Sequence, residues 1–323
     1  MHILVCGGAG YVGAHAALAL SRAGHAVTVL DNLSTGHRAA VRWGPLVQAD
    51  LLQPDTLDAA FQRPVDAVMH FCARSLVGES VRAPYAYYEN NVVGTLHLLQ
   101  AMARHGVDRL VFSSTAAIFG NPLSALIDED HRQAPINPYG ASKLMVERIL
   151  ADAAQAYGLR SVCLRYFNAA GAAPDENIGE SHQPETHLIP NVLRAALGTG
   201  PGLKLFGDDY DTVDGTCVRD YVHVLDLADA HLRALELMQR QPGAQAFNLG
   251  NGQGFSVLQV LQAARTVTGR DIAYQQAGRR AGDPAVLVAA SDKARRVLGW
   301  QPRHPGLEEI IDSAWRWHQA PAY

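Results

Sequence analysis

An α/β architecture, with a doubly wound parallel sheet and a smaller mixed α/β lobe at its C-terminal side, is the fold class this sequence predicts. Three observations carry it. Short apolar strands alternate with helical stretches through the first half, glycines follow the helix ends, and the texture of the chain changes after about Gly171. Ile3–Cys6, Ala26–Leu30, Ala67–Phe71, Leu110–Ser113 and Val162–Arg165 read as strands because they are short, apolar or β-branched, and bounded by polar residues or glycine. Leu46–Gln48 reads as a weaker strand. Between them, Val12–Ala23, Asn90–His105 and Lys143–Tyr157 repeat Ala, Leu and Met at helical spacing, and Gly24, Gly106 and Gly158 stand where left-handed caps favour glycine. Such alternation predicts parallel strands covered on both faces. The expected division is residues 1–171 for the sheet domain, to which later segments can return, and 172–323 mainly for a ligand-binding lobe. Residues 172–187 have no periodicity and read as a long functional loop. Helices are expected at Asn191–Leu197, Leu225–Met238, Val257–Thr268 and Leu307–Trp317, with strands at Leu203–Phe206 and Phe247–Leu249.

Bulk properties narrow the function. The 323 residues are 48% hydrophobic and 18% charged, with a formal charge of −4. That places the chain among ordinary globular proteins and gives it no basic surface for nucleic acid. No apolar run reaches membrane-spanning length, and the apolar opening stretch lacks a basic flank, so no membrane partner and a cytoplasmic location are expected. The four cysteines, Cys6, Cys72, Cys163 and Cys217, are scattered without CxxC pairing, and the 14 histidines form neither HExxH nor a tight cluster with carboxylates. No disulfide and no metal site are expected.

Directly after the first strand, Gly7-x-x-Gly10-x-x-Gly13 opens the first helix. Glycine permits the tight turn and close backbone approach, and the helix start, with Tyr11 and Val12, offers N–H groups to a pyrophosphate. This is the frame of a Rossmann-type dinucleotide site. Asp31 ends the second strand about twenty residues on, where a carboxylate accepts from ribose hydroxyls and repels a 2′-phosphate. NAD is therefore expected over NADP, with Asn32 beside it; the nearby His37 and Arg38 leave NADP open. Asp50 and Leu51 follow the third strand, where Asp50 is placed either to reach the adenine or as a solvated loop carboxylate. Phe71, Cys72 and Ala73 pass beside the cofactor after the fourth strand.

Tyr139-Gly140-Ala141-Ser142-Lys143 carries the chemistry. Tyr139 and Lys143, at i and i+4, share one helix face. A phenol is a poor base at neutral pH. A neighbouring ammonium and the positive nicotinamide ring both favour its phenolate, and Lys143 can also bond the nicotinamide ribose. Thr115, closing Phe112-Ser113-Ser114-Thr115, offers a hydroxyl at a strand's carboxyl end to bond the reacting hydroxyl and help carry its proton to Tyr139.

With these motifs, and with Val77-Gly78-Glu79-Ser80, Tyr87-Tyr88-Glu89-Asn90-Asn91, Arg165-Tyr166-Phe167-Asn168, Phe206-Gly207-Asp208-Asp209-Tyr210, Val218-Arg219-Asp220-Tyr221-Val222-His223-Val224 and Arg279-Arg280-Ala281-Gly282-Asp283, the chain resembles the extended short-chain dehydrogenase/reductases nearly end to end. Within that family it is similar to the 4-epimerase branch acting on UDP-glucose and UDP-galactose. The resemblance implies an isomerase that oxidises C4 of a UDP-hexose, lets the 4-ketohexose turn, and reduces it on the other face with the same NAD. It implies Tyr139, Lys143 and Thr115 as catalytic residues. Asn90, Ser113 and Tyr166 join the cofactor set. Thr115, Tyr139, Asn168, His187, Leu188, Phe206, Arg219, Arg280 and Asp283 form the substrate set. The two arginines would grip the diphosphate, with ion pairing between lobes as their rival role. A homodimer, paired through the helices near 90–105 and 143–157 into a four-helix bundle, is also implied.

The chain departs from the family at four positions. Thr115 stands where Ser is common and keeps the hydroxyl. Phe119 replaces a common Tyr and loses one. Ser75 stands where some members carry a Lys cofactor contact. Leu287 stands where a bulky Tyr is associated with excluding N-acetylated sugars, so UDP-GlcNAc and UDP-GalNAc are expected as additional substrates. Two rival readings stand beside the main one. Dehydratases and decarboxylases of the same fold carry an acid beside the strand hydroxyl, where this chain has Ala116 and Ala117. A non-catalytic dinucleotide sensor would have no need of Tyr139 and Lys143.

Overall fold

The computed structural model describes residues 1–200, 202–280 and 283–323. Seven parallel strands form the large sheet: β1 (His2–Cys6), β2 (Ala26–Asp31), β3 (Leu46–Gln48), β4 (Ala67–His70), β5 (Arg109–Thr115), β7 (Arg160–Tyr166) and β11 (Ala244–Leu249). Their spatial order is β11-β7-β5-β4-β1-β2-β3, so the direction of winding reverses between β1 and β4. That reversal opens a crevice at the carboxyl ends of the strands, where open α/β sheets receive ligands.

The period of two along each strand explains why both faces are covered. Ile3 and Val5 join one apolar cluster with Val27, Val29, Val111, Val162, Leu164 and Phe247. Leu4 and Cys6 join the other, with Leu30, Leu110, Phe112 and Cys163. Helices α1 (Tyr11–Arg22) and α7 (Val224–Arg240) cover the first face, supplying Ala16, Ala17, Leu20, Leu227, Ala230 and Ala234. Helices α4 (Gly94–Arg104) and α5 (Pro138–Tyr157) cover the second with Leu98, Ala101, Met102, Val146 and Leu150.

A smaller, five-stranded sheet joins β12 (Gly254–Ser256), β10 (Val218–His223), β14 (Val286–Ala289) and β6 (Leu126–Ile127), with β8 (Asn168–Ala170) also pairing β10. A parallel pair links β9 (Leu203–Phe206) to β13 (Tyr274–Ala277). Helices α6 (Leu188–Leu197), α8 (Val257–Thr268) and α9 (Leu307–Gln319) enclose a separate core around Leu193, Val260, Leu261, Ile310 and Ile311. The capping box of Ser256 with Gln259 starts α8, and left-handed Gly269 ends it.

Several expected boundaries move. The helix expected from Lys143 begins at Pro138, because the Asn137 side chain accepts from Gly140 N at 2.8 Å and caps it. Tyr139 therefore sits in the first turn. The helix expected from Asn90 opens with a π-helical turn, Glu89–Val93. Two short helices, α2 (Val77–Arg82) and α3 (Pro84–Tyr88), precede it. Most of the smaller sheet was not expected from the sequence. The segment from Val224 to Leu249 returns to the large sheet as α7 and β11. Residues 172–187 form a loop with one bridge, Ala173 to Ile178, and one 3₁₀ turn at Pro174–Glu176.

Candidate active site

The glycine frame is a turn whose three glycines do different work. A Cβ on Gly7 would meet Cys72 N at 2.7 Å, and one on Gly13 would meet Gly7 O at 2.1 Å, so both are needed to pack the turn against itself and β4. A Cβ on Gly10 would meet only Gly7 O, at 3.4 Å, so its Cα faces open space. Gly10 caps α1 without any side-chain hydrogen bond, which leaves the first-turn N–H groups of Tyr11 and Val12 free of a capping side chain. The Tyr11 hydroxyl is used elsewhere, donating to Gly171 O at 2.6 Å.

Asp31 is buried at the end of β2, and its oxygens accept from Ala9 N at 3.0 Å and Leu33 N at 2.8 Å. Burial raises its pKa, and the two backbone bonds pull against that. Asp50 accepts from Asn32 Nδ2 at 2.9 Å and from Leu52 N at 2.8 Å, so its role is to fix Asn32. Arg38 donates to Gln48 Oε1 at 2.7 Å and His37 bonds Ser181 O at 3.0 Å. Both potential 2′-phosphate partners are engaged elsewhere, which favours the NAD side of the choice left open above. Leu51 is buried, and its carbonyl lies 2.8 Å from His97 Nδ1. Phe71 packs on His231, with ring centroids 4.8 Å apart, and Ala73 follows in the strand-to-helix turn.

At the end of β5, Lys143 Nζ donates to Ser113 O at 2.7 Å. It also lies 4.7 Å from the Phe112 ring centroid. Burial lowers Lys143 to about 7, against weaker opposition from Cys72, Glu147 and Cys163. Ser113 Oγ shares a hydrogen bond with the Tyr166 hydroxyl. Tyr139 is half-buried. Burial raises the phenol's pKa, and the neighbouring Thr115 hydroxyl works the other way. Thr115 also accepts from Ala117 N at 3.1 Å, capping the 3₁₀ turn Ala116–Phe119.

The opposite wall comes from the smaller lobe. Arg219, register partner of Leu287, reaches Asp283 at 3.5 Å, and Arg280 stacks over the Phe206 ring at 4.0 Å. Phe206, Arg219, Arg280 and Asp283 thus meet at one place, and the Arg219–Asp283 pair lies within the smaller lobe rather than between lobes. Asn168 donates to Asp220 O at 2.8 Å, locking β8 to β10. His187 caps α6, and Leu188 begins it. Ala281 and Gly282, quoted in the arginine motif, lie outside the described residues.

Sequence reasoning passed over three groups. Asn91 is buried and ties Arg74 N at 2.9 Å, Arg74 O at 3.0 Å and Ser142 Oγ at 2.9 Å, so it clamps the turn after β4 to α5; Asn90 only donates to its side chain. A polar residue interrupting an apolar helix was the available signal. Asp220, fully buried, accepts from Asn251 N, Gly252 N and Ala289 N at 2.8, 3.1 and 3.1 Å and organises the smaller lobe. The expectation that no histidines cluster with carboxylates is overturned. Glu180, His182, Glu185 and His187 bring one ligand atom each within 4.8 Å of one another. The available signal was their spacing, Glu180-x-His182-x-x-Glu185-x-His187, within eight residues of one loop.

Fold and site together define the class: a dinucleotide-binding α/β protein with a Tyr–Lys helix at the carboxyl end of β5. The chain belongs to the NAD dependent epimerase/dehydratase family, whose model matches residues 3–250. It is 51% identical over 320 residues to a UDP-glucose 4-epimerase from Halalkalibacterium halodurans, covering 99% of this chain and 96% of that protein. A solved structure of UDP-glucose 4-epimerase from Brucella ovis in complex with NAD superposes with a TM-score of 0.95 at 47% identity, over 97% of each chain. The UDP-Glc/GlcNAc 4-epimerase of Campylobacter jejuni superposes with a TM-score of 0.86 at 42% identity, over 98% of this chain and 99% of that one.

Proposed function

We propose that this chain is an NAD-dependent isomerase that interconverts UDP-glucose and UDP-galactose by inverting C4. The observation that carries the reading is the meeting of Tyr139, Thr115 and Lys143 at the carboxyl end of β5, in a chain half identical to UDP-glucose 4-epimerases. The dinucleotide fits: Gly10 leaves its Cα open, α1 presents N–H groups without a capping side chain, and Asp31 and Asn32 stand at the end of β2. When bound, NAD supplies reversible two-electron oxidation and reduction at C4. Gly7, Gly10, Tyr11 and Val12 hold its pyrophosphate. Asp31, Asn32, Asp50 and Leu51 form its adenosine side, and Phe71, Ala73, Asn90, Ser113, Lys143 and Tyr166 its nicotinamide side.

Tyr139 Oη takes the proton of the C4 hydroxyl as the carbon is oxidised and gives it back after the 4-ketohexose has turned. Thr115 Oγ1 bonds that hydroxyl and carries the proton across. Burial works against the phenolate, and positive charge beside the ring, from Lys143 and from the oxidised cofactor when bound, favours it. Arg219 and Arg280 hold the diphosphate, Phe206 flanks uracil, Asp283 accepts from ribose, and Asn168, His187 and Leu188 complete the nucleotide wall. On this reading residues 172–323 mainly serve the substrate.

Leu287 is smaller than a tyrosine, and the Campylobacter jejuni relative acts, by its name, on both sugar types. The N-acetylated pair is therefore included as additional substrates. The protein works in the cytoplasm as a homodimer. Val93 and Leu96 near α4 and Met145 on α5 are 40%, 37% and 46% exposed, an apolar surface suited to the four-helix pairing. The deciding experiment incubates the purified protein with UDP-galactose and identifies the product. UDP-glucose is expected from the native protein and not from Tyr139→Phe. An absence of UDP-galactose turnover, or equal turnover by the variant, overturns the proposal.

A further inference from the structure

The loop between β8 and α6 carries four groups that the epimerase reading does not use together. Glu180 Oε1 lies 3.1 Å from His182 Nδ1 and 2.7 Å from His187 Nδ1. Glu185 Oε2 lies 3.7 Å from His182 Nδ1, and its Oε1 lies 3.2 Å from His187 Nδ1. A tetrahedral ion with bonds of about 2.0–2.1 Å has ligand atoms about 3.3 Å apart; the four ligand atoms of this cluster lie within 4.8 Å of one another, and the Glu180–His187 contact at 2.7 Å opens to admit the ion. The two carboxylate side chains are 6% and 1% exposed. Glu185 Oε1 is held by Thr186 N at 2.8 Å and His187 N at 2.9 Å. Its Oε2 is buried with no hydrogen-bond partner, and the neighbouring His182 Nδ1 makes no properly directed hydrogen bond either. A buried carboxylate oxygen left 3.7 Å from the imidazole nitrogen, with no hydrogen bond of its own, is costly unless a cation satisfies it.

We infer that Glu180, His182, Glu185 and His187 form a binding site for one divalent first-row transition cation, of the zinc or cobalt type. Two imidazole nitrogens with two carboxylate oxygens suit such a cation, whereas calcium and magnesium prefer all-oxygen shells. Its charge offsets two carboxylates buried side by side. The rival occupant is protons: burial lowers both histidines, but hydrogen bonds and charge from the two glutamates outweigh it and raise them to about 9 and about 10.

The position gives the cation a structural task. Trp317 Nε1 donates to Glu180 O at 2.9 Å, His37 Nε2 meets Ser181 O at 3.0 Å, and His182 lies edge-on to Tyr11 with ring centroids 6.4 Å apart. His187 then caps α6. The ion therefore cross-links a strap running from the glycine turn to the start of α6, beside the nucleotide wall to which His187 and Leu188 are assigned.

The test uses full-length, untagged protein stripped with a strong chelator and titrated with Co²⁺. One equivalent is expected to bind with the intense visible absorption of tetrahedral cobalt, to be displaced by Zn²⁺, and to raise the unfolding temperature. Glu185→Gln should weaken Co²⁺ binding by at least about tenfold, and His182→Asn, a change at a half-exposed side chain, should do the same if Glu185→Gln fails to fold. Absence of the tetrahedral spectrum at millimolar Co²⁺ means that protons fill the cluster and overturns the inference. So does Co²⁺ binding that is unchanged in folded variants, which would place the ion elsewhere. His187 also belongs to the proposed nucleotide wall, so the cobalt spectrum and not turnover is the readout, and this inference and the epimerase reading fail on separate measurements.

Discussion

Thr115→Val separates the two jobs of one hydroxyl and tests the proton path. Thr115 Oγ1 caps the Ala116–Phe119 turn by accepting from Ala117 N, and it bonds the Tyr139 phenol in the sense that favours phenolate. Valine keeps the shape and loses both bonds. Removing a hydrogen bond to a charged group costs about 1.5–3 kcal/mol, equivalent to about a ten- to a hundredfold loss in kcat/KM wherever the phenol must still be deprotonated. The sign follows from the bond. Without it the neutral phenol is relatively favoured, so more alkaline solution is needed to reach the same phenolate fraction. The acid limb of the kcat/KM profile therefore moves to higher pH, and the deficit shrinks as pH rises. The lost cap costs about 1 kcal/mol of stability without this pH signature. Thr115→Ser retains both bonds and should follow the parent profile. Initial rates of UDP-galactose conversion, measured from neutral to alkaline pH, provide the assay. A Thr115→Val profile that overlays the parent, or one depressed equally at every pH, would refute the proton path.

Other outcomes follow from particular contacts. Gly13→Ala forces a methyl group to within 2.1 Å of Gly7 O and should lower stability by about 1–3 kcal/mol. Gly10→Ala meets nothing closer than 3.4 Å, so it should melt like the parent yet bind NAD more than about tenfold more weakly; thermal unfolding with and without NAD distinguishes the two. Glu147→Gln strands Arg165, whose buried guanidinium reaches that carboxylate at 2.6 Å, and should cost about 3–5 kcal/mol in urea unfolding. Leu287→Tyr should depress turnover of the N-acetylated pair by about tenfold or more, with little change on UDP-galactose; equal losses on both would remove Leu287 from specificity. Leu96→Lys, a charge placed on an exposed apolar face, should shift the protein to monomers in sedimentation while leaving the fold intact.

The parts legible in sequence are those whose signal is local. Val27, Val29 and Leu30 mark a strand buried on both faces, and Gly7, Gly10 and Gly13 mark a turn, because each residue type answers to its own backbone neighbourhood. Tyr139, Lys143 and Thr115 were found the same way, and the structure brings them to one strand end. What sequence hid is non-local. Strand β10 reads Val-Arg-Asp-Tyr-Val-His and β13 reads Tyr-Gln-Gln-Ala; both owe their extension to partners far away in the chain. The i, i+4 spacing of Tyr139 and Lys143 suggested that one charge would act on the other. Only the fold reveals that Lys143 also donates to Ser113 O.

The interleaving of the two sheets has a practical consequence. Strands β6 and β8 come from the first 171 residues yet belong to the smaller sheet, while α7 and β11 come from later in the chain and return to the larger one. No single cut releases either layer as a cassette. Anyone wishing to graft a new sugar preference onto this scaffold must rebuild several separate stretches at once, or else work by point changes along the crevice wall.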